Sequence, residues 1–115
     1  MLSNPTCTWT GDSEATYTYN VHKLPVSFEE GQDGNYIYAK TVNEKWRPIY
    51  IGEGDLGDRI GPNHHKAQCI SSKGATHVHV HLNAKEQDRL DEEADLLANY
   101  SQAYEPTACN EKKSG

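Results

Sequence analysis

Tyr36 and Tyr38 alternate with Ile37 and Ala39, and further on Tyr50 stands between Ile49 and Ile51 and is followed by Gly52. Successive side chains of a strand point to opposite faces, so each run sets apolar residues on one side and phenols on the other. Tyrosine is a common strand former, and packing alone accounts for any single one. Gly52, where a backbone can approach a ligand closely, and Arg59 shortly after it add a binding surface and a fixed positive charge. On the last helical stretch Leu90, Glu93, Ala94, Leu96, Leu97 and Tyr100 follow the spacing of one face, while Asp88, Asp91, Glu92 and Asp95 cover the other. Glu93 therefore falls on an apolar stripe, where a carboxylate is costly unless it is paired, hydrogen-bonded or bound to a metal. An ion pair with Arg89, one turn earlier, is the bland alternative. A third signal is His77, His79 and His81, which project from one face of a strand with ~6–7 Å between successive members. Two of them with a distant carboxylate would make a zinc-type 2-His-1-carboxylate site. Otherwise they form a polar sheet face touching solvent, a tyrosine or a phosphate.

The elements that must position these residues are legible in outline. Residues 15–21 alternate as a half-buried strand, with Ala15, Tyr17, Tyr19 and Val21 on one side. The runs around Tyr36–Lys40 and Pro48–Gly52 read as a hairpin whose longish tip holds Asn43, Glu44 and Lys45. Asp55 suits the cap of a short helical turn carrying Leu56, Arg59 and Ile60. Pro62 suits the first position of a helix through His64, His65, Ala67 and Ile70, with Gly74 as its left-handed stop. His77–Leu82 alternates strictly as a third core strand with Val78, Val80 and Leu82 inward. Asn83 with Glu86 forms a capping box for a helix reaching about Tyr100.

At 115 residues the chain has room for one domain. Leu, Ile, Val and Phe make up only about 16% of it, below the ~20% at which disorder begins to be suggested, although the tyrosines and tryptophans partly refill the apolar inventory. The reading is a folded domain with a thin core. The formal net charge is −6, yet residues 34–74 carry a small positive excess, so a phosphate-binding surface belongs there. No window approaches the ~18–20 apolar residues that span a bilayer, and the first residues have neither the basic nor the apolar part of a signal peptide. A cytoplasmic protein without membrane contact is expected. Cys7, Cys69 and Cys109 fit no C-x-x-C spacing, and reduced thiols are the expectation.

Taken in order, Gly34-x-Tyr36-Ile37-Tyr38, Tyr50-Ile51-Gly52, Arg59, Glu93 within Glu93-Ala-Asp-Leu96-Leu97, Pro106 and Asn110 resemble the GIY-YIG nuclease domain. The resemblance covers residues 34–110. It implies an α+β fold with a small antiparallel sheet flanked by helices, preceded by an N-terminal arm over residues 1–33 that adds one strand, and followed by a tail over 111–115. It also implies a DNA endonuclease that hydrolyses phosphodiesters with one divalent metal, Mg²⁺ or Mn²⁺, held by Glu93. Arg59 would neutralise charge on the phosphoryl oxygens, a first-motif tyrosine would help deprotonate the attacking water, and Tyr50 would order the site. Spacing to Tyr50 favours Tyr38 as that first tyrosine and Gly34 favours Tyr36. His64 and Asn110 are further catalytic positions, with Gly52 and Lys66 contacting substrate. Glu53, directly after the second motif, departs from the pattern because it would repel a phosphate, and His64 and His65 come later than the family's histidine. A catalytically silent nucleic-acid- or protein-binding module on the same fold and a His-ligated zinc enzyme are the competing readings.

Overall fold

The computed structural model describes residues 5–112. Five antiparallel strands form one sheet in the order β1-β2-β5-β3-β4, namely β1 (Thr6–Thr10), β2 (Thr16–Lys23), β3 (Asp33–Val42), β4 (Lys45–Asp55) and β5 (His77–Leu82). Helices α1 (Leu56–Arg59) and α2 (Ala67–Ser72) lie between β4 and β5, and α3 (Glu86–Asn99) follows β5, ending in a short 3₁₀ turn at Ser101–Ala103. The α+β expectation of a small antiparallel sheet with flanking helices holds at this level. No helix among the described residues is long and apolar enough to cross a membrane.

Both faces of the sheet are covered. On one, Tyr36, Tyr38, Ile49, Val78 and Val80 pack under Leu56 and Ile60, from α1 and the residue after it, and Ile70 of α2. On the other, Trp9, Tyr19, Ile37, Ala39 and Ile51 pack under Leu96 of α3. We call these the tyrosine face and the α3 face. Burial on both sides explains why β5 departs from the expected polar side and apolar side: His79 is completely buried, whereas Leu82, expected inside, is 57% exposed at the strand end. Segment 1–33 supplies two strands, because β1 pairs with β2 from Thr6↔Asn20 to Thr10↔Thr16. The alternation of Thr6, Thr8 and Thr10 with Cys7 and Trp9 was the sequence signal for β1.

The hairpin closes more tightly than expected. Val42 opposes Lys45, and Asn43 and Glu44 make a two-residue turn with φ of 53° and 66°, both positive as in the type I′ turns that match strand twist. A register shift at Tyr38/Ala39 leaves Ile49 between the Tyr38↔Tyr50 and Ala39↔Pro48 pairs. This bulge lets Ile49 and Tyr50 both join the tyrosine face.

Asp55 caps α1 by accepting from the Gly57 N–H at 2.9 Å, as its type and place predict. The helix expected from Pro62 starts only at Ala67, because the Nδ1 of His64 accepts the Lys66 N–H at 2.9 Å and holds residues 61–66 in turns. Gly74, with φ 85°, follows α2 as anticipated. The capping box before α3 does not form: Asn83 accepts from the Lys85 N–H, and the helix begins at Glu86. Reduced thiols are also corrected, since Cys69 and Cys109 are joined in a disulfide and Cys7 alone is free. The fold brings together two cysteines 40 residues apart, which spacing alone could not reveal. Of the expected tail, Glu111 and Lys112 are described and the remainder lies outside the described residues.

Candidate functional site

The expected helical stripe of α3 is rotated by about one position. Arg89, Glu92 and Leu96 are its buried residues, Leu90 is 40% exposed, and Glu92, expected outside, is 4% exposed. Glu92 accepts from the Tyr19 hydroxyl and from His81 Nδ1 at 3.0 Å, which satisfies a carboxylate that burial would otherwise make costly. Arg89 pairs with Glu53 at 3.0 Å. Glu53 therefore carries a matched charge, which removes the phosphate repulsion its sequence position implies.

Glu93 turns instead to the edge of the sheet. It lines a cavity of about 450 Å³ together with Tyr50, His65, Lys66, Asn110 and Glu111. Its charge raises the proton affinity of both Tyr36 and Tyr50, and Arg59 lowers it. Six separate segments thus meet here: β3, β4, the α1 turn, the loop before α2, α3, and the C-terminal segment that holds Asn110 and Glu111.

Behind this cavity lies a buried aromatic brace. Tyr36 is 1% exposed and its hydroxyl is 2.7 Å from His64 Nε2. Since His64 Nδ1 accepts a backbone N–H, the neutral ring carries its proton on Nε2 and donates it to the Tyr36 oxygen. Burial, then the neighbouring His65 and Arg59, pushes the His64 pKa down to about 4, so the neutral form is the one present near neutral pH. Tyr36 stacks on Tyr50 with ring centroids 6.0 Å apart. Gly52 makes this possible: a Cβ there would meet Tyr36 Oη at 2.6 Å and Tyr50 Cε1 at 2.9 Å. Its open space is thus filled by Tyr36 before any substrate arrives. Burial, chiefly, raises the Tyr36 phenol far above its ordinary value.

Tyr38 is directed elsewhere. Its hydroxyl accepts from the Gly61 N–H at 3.2 Å, and its ring helps line a largely apolar cavity of about 380 Å³ with Leu24, Val26 and Ile70. Tyr50 is the half-buried phenol that reaches the Glu93 cavity. Burial first, then Glu93, raises its pKa, while Arg59 and Lys66 oppose the shift. His65 is its neighbour, with Nε2 at 3.4 Å from the hydroxyl, and sequence reasoning did not single it out. The adjacent His64 drew that role because it lies nearer Arg59 in the chain.

Arg59 is exposed, with its side chain against Gly54, whose φ of 138° suits glycine. Lys66 is held by Glu105 at 2.9 Å and by Glu111, and these partners raise its pKa. Asn110 acts as an edge clamp: its Oδ1 accepts the Ile51 N–H and its Nδ2 donates to the Ile51 carbonyl, both at 2.9 Å. With Cys109 N–H on the Ile49 carbonyl, the C-terminal segment covers the free edge of β4.

The three β5 histidines each have a protein partner. His79 Nδ1 accepts from Trp9 Nε1 at 3.0 Å, His81 meets Glu92, and His77 contacts Thr76 Oγ1. Among the described residues no group of three or more His, Cys, Asp or Glu is arranged to hold a metal ion. A single-carboxylate site is a different case, because Mg²⁺ takes one or two carboxylates and fills its other positions with water and phosphate oxygens. Glu93, a hard oxygen donor on a polar cavity, suits that mode. No family model, curated protein or solved structure matches the chain.

Proposed function

We propose that the chain is a divalent-metal-dependent DNA endonuclease of the GIY-YIG type. One observation carries this reading: Glu93, Tyr50, Lys66 and His65 line one cavity, with Arg59 close enough to act on the same phenols and Tyr36 stacked behind Tyr50. Glu93 would hold Mg²⁺ or Mn²⁺, which when bound supplies Lewis-acid polarisation of the scissile phosphate and its leaving oxygen. The Arg59 guanidinium matches the charge that builds on the phosphoryl oxygens. Tyr50 Oη orients the attacking water. As water gives its proton to that oxygen, the phenolic proton passes to His65 Nε2, over a contact that shortens when substrate fills the cavity. We assign the first-motif role to Tyr36 and make it a positioning residue: its ring and its bond from His64 fix the Tyr50 ring. Tyr38 and Asn110 support the backbone around it. Lys66 contacts phosphate after exchanging Glu105 and Glu111 for it. A catalytically silent nucleic-acid-binding module is the second reading, favoured by the two carboxylates that already occupy Lys66. A cytoplasmic location is proposed with the first reading, and the Cys69–Cys109 bond is the observation against it.

Incubation of purified protein with supercoiled plasmid, in Mg²⁺ or in chelator, tests the reading. Nicking in Mg²⁺ that stops in chelator is expected. Binding without nicking would favour the silent module.

A further inference from the structure

A second cavity, of about 330 Å³, lies beyond the candidate site and has a different character. Lys40, Arg47, Lys73, Gln102 and Thr107 line it along with Ile49, and no carboxylate does. In a chain of net charge −6 this is a concentration of one sign. The Lys40 ammonium donates to the Lys73 carbonyl at 2.8 Å, and the Lys73 ammonium donates to the Pro106 carbonyl at 2.9 Å, so the two cations are seated. Arg47 stands exposed beside them.

The bulge in β4 decides where this cluster points. Lys40 opposes Arg47 across the hairpin, and opposed residues share a face. Lys40 lies two residues beyond Tyr38, hence on the tyrosine face. Without the extra residue at Ile49, Arg47 and Tyr50 would face opposite ways. With it, they share a face, and because their partners Lys40 and Tyr38 are two residues apart they stand about 7 Å apart along the sheet. That is the axial length of about two nucleotides at ~3.4 Å each along one strand of duplex DNA.

We infer that Lys40, Arg47 and Lys73 form a docking site for the phosphodiester backbone of a nucleic acid, about two nucleotides from the scissile phosphate held near Tyr50. The inference rests on the nuclease reading for its register and on the cluster itself for its chemistry. Backbone contacts set position and carry no sequence information, so the site would fix which phosphate enters the Glu93 cavity.

The test is fluorescence anisotropy of a labelled DNA duplex in chelator, where nothing is cut, across a salt series, for wild-type protein and for Arg47→Ala and Arg47→Glu. Arg47 is chosen because it is exposed, and thermal melts confirm that both variants are folded. The expected result is a several-fold weaker complex for Arg47→Ala and more than tenfold weaker for Arg47→Glu. The slope of log affinity against log salt should fall by about 1 for the alanine variant, since each phosphate contact contributes about 0.9. Unchanged binding by both variants, with plasmid nicking intact, overturns the docking site and leaves the nuclease reading standing. Loss of binding on Arg47→Glu in a protein that never nicks plasmid supports the docking site and rejects the nuclease. Competition by inorganic phosphate at the same concentration of phosphate groups as the duplex marks a small-anion site and overturns the inference, as does wild-type protein that binds no duplex.

Discussion

On the α3 face, Tyr19 and the partly exposed His81 bond to buried Glu92, and Trp9 bonds to buried His79, so that each hydrogen bond ends on a buried acceptor. On the tyrosine face the same residue types make a chain that does not close. His64 donates to Tyr36, Tyr36 stacks on Tyr50, and Tyr50 opens with His65 onto the Glu93 cavity. Two adjacent glutamates of one helix divide between these arrangements. A polar cluster whose hydrogen bonds are all internal specifies and rigidifies a core, whereas one that ends at a cavity is placed to act on something else. Under the proposed function the difference separates residues that hold the protein together from residues that act on substrate, and each prediction below presses on it.

The largest effect is expected at Tyr50. Tyr50→Phe removes a half-buried hydroxyl whose contact with His65 is long at 3.4 Å, so the fold should be kept while single-turnover cleavage falls ~10²–10⁴-fold, the range for a lost acid–base group. Tyr19→Phe should do the reverse, lowering stability by about 1–3 kcal/mol through the buried acceptor left on Glu92, with cleavage by the folded protein retained. Cleavage falling in both variants to the same degree would dissolve the distinction between the faces.

Reduction of the disulfide should separate the faces by stability. The bond closes a loop of 40 residues on the tyrosine side and joins α2 to the segment that clamps β4. By chain-entropy reasoning it contributes about 4 kcal/mol. Denaturant titration of Cys69→Ser/Cys109→Ser against wild type reads that difference. Hydrogen exchange should show faster opening in α2 and the edge of β4, with β2 and β5 affected less.

A smaller effect follows from pH. Burial, then the neighbouring His77 and His22, lowers the His79 pKa to about 4. The unfolded value is about 6.5, so between the two the unfolded chain binds the extra proton and stability rises with pH; above about 6.5 the contribution is constant. On acidification through this window His79 should remove on the order of 3 kcal/mol, because its Nδ1 can no longer accept the Trp9 N–H. Unfolding midpoints at pH 4.5 and pH 7 should lie closer together in His79→Gln than in wild type. His64 shifts the same way, and its variant isolates the tyrosine face.

Much of the framework was legible because its signals are local. Alternation placed β3, β4 and β5, Asp55 announced its cap, and Gly74 its stop. The errors arise where a distant partner decides. Helical spacing put Leu90 and Glu93 inward and Glu92 outward, but Tyr19, 73 residues away, and His81, on the strand before α3, draw Glu92 in and set the rotation of α3. His77, His79 and His81 looked like one polar face because alternation cannot report that Trp9, Trp46 and Glu92 cover it. Tyr38 was preferred by chain spacing, whereas the pairing of Tyr36 with Gly52 across the hairpin, and the close contact that only glycine permits, bring Tyr36 to Tyr50. Arg59 and Glu93 were readable as types in order; that they act on the same phenols required the fold.

The most direct measurement compares Glu93→Gln with Glu92→Gln, each by thermal melting and by cleavage of supercoiled plasmid in Mg²⁺ under single-turnover conditions. Glu93→Gln should melt like wild type and lose cleavage by at least about a hundredfold, since the amide keeps the shape and removes the charge that holds the metal. Glu92→Gln should melt lower and, where folded, still cut. Wild-type cleavage by Glu93→Gln would contradict the assignment of the working edge to the Glu93 cavity.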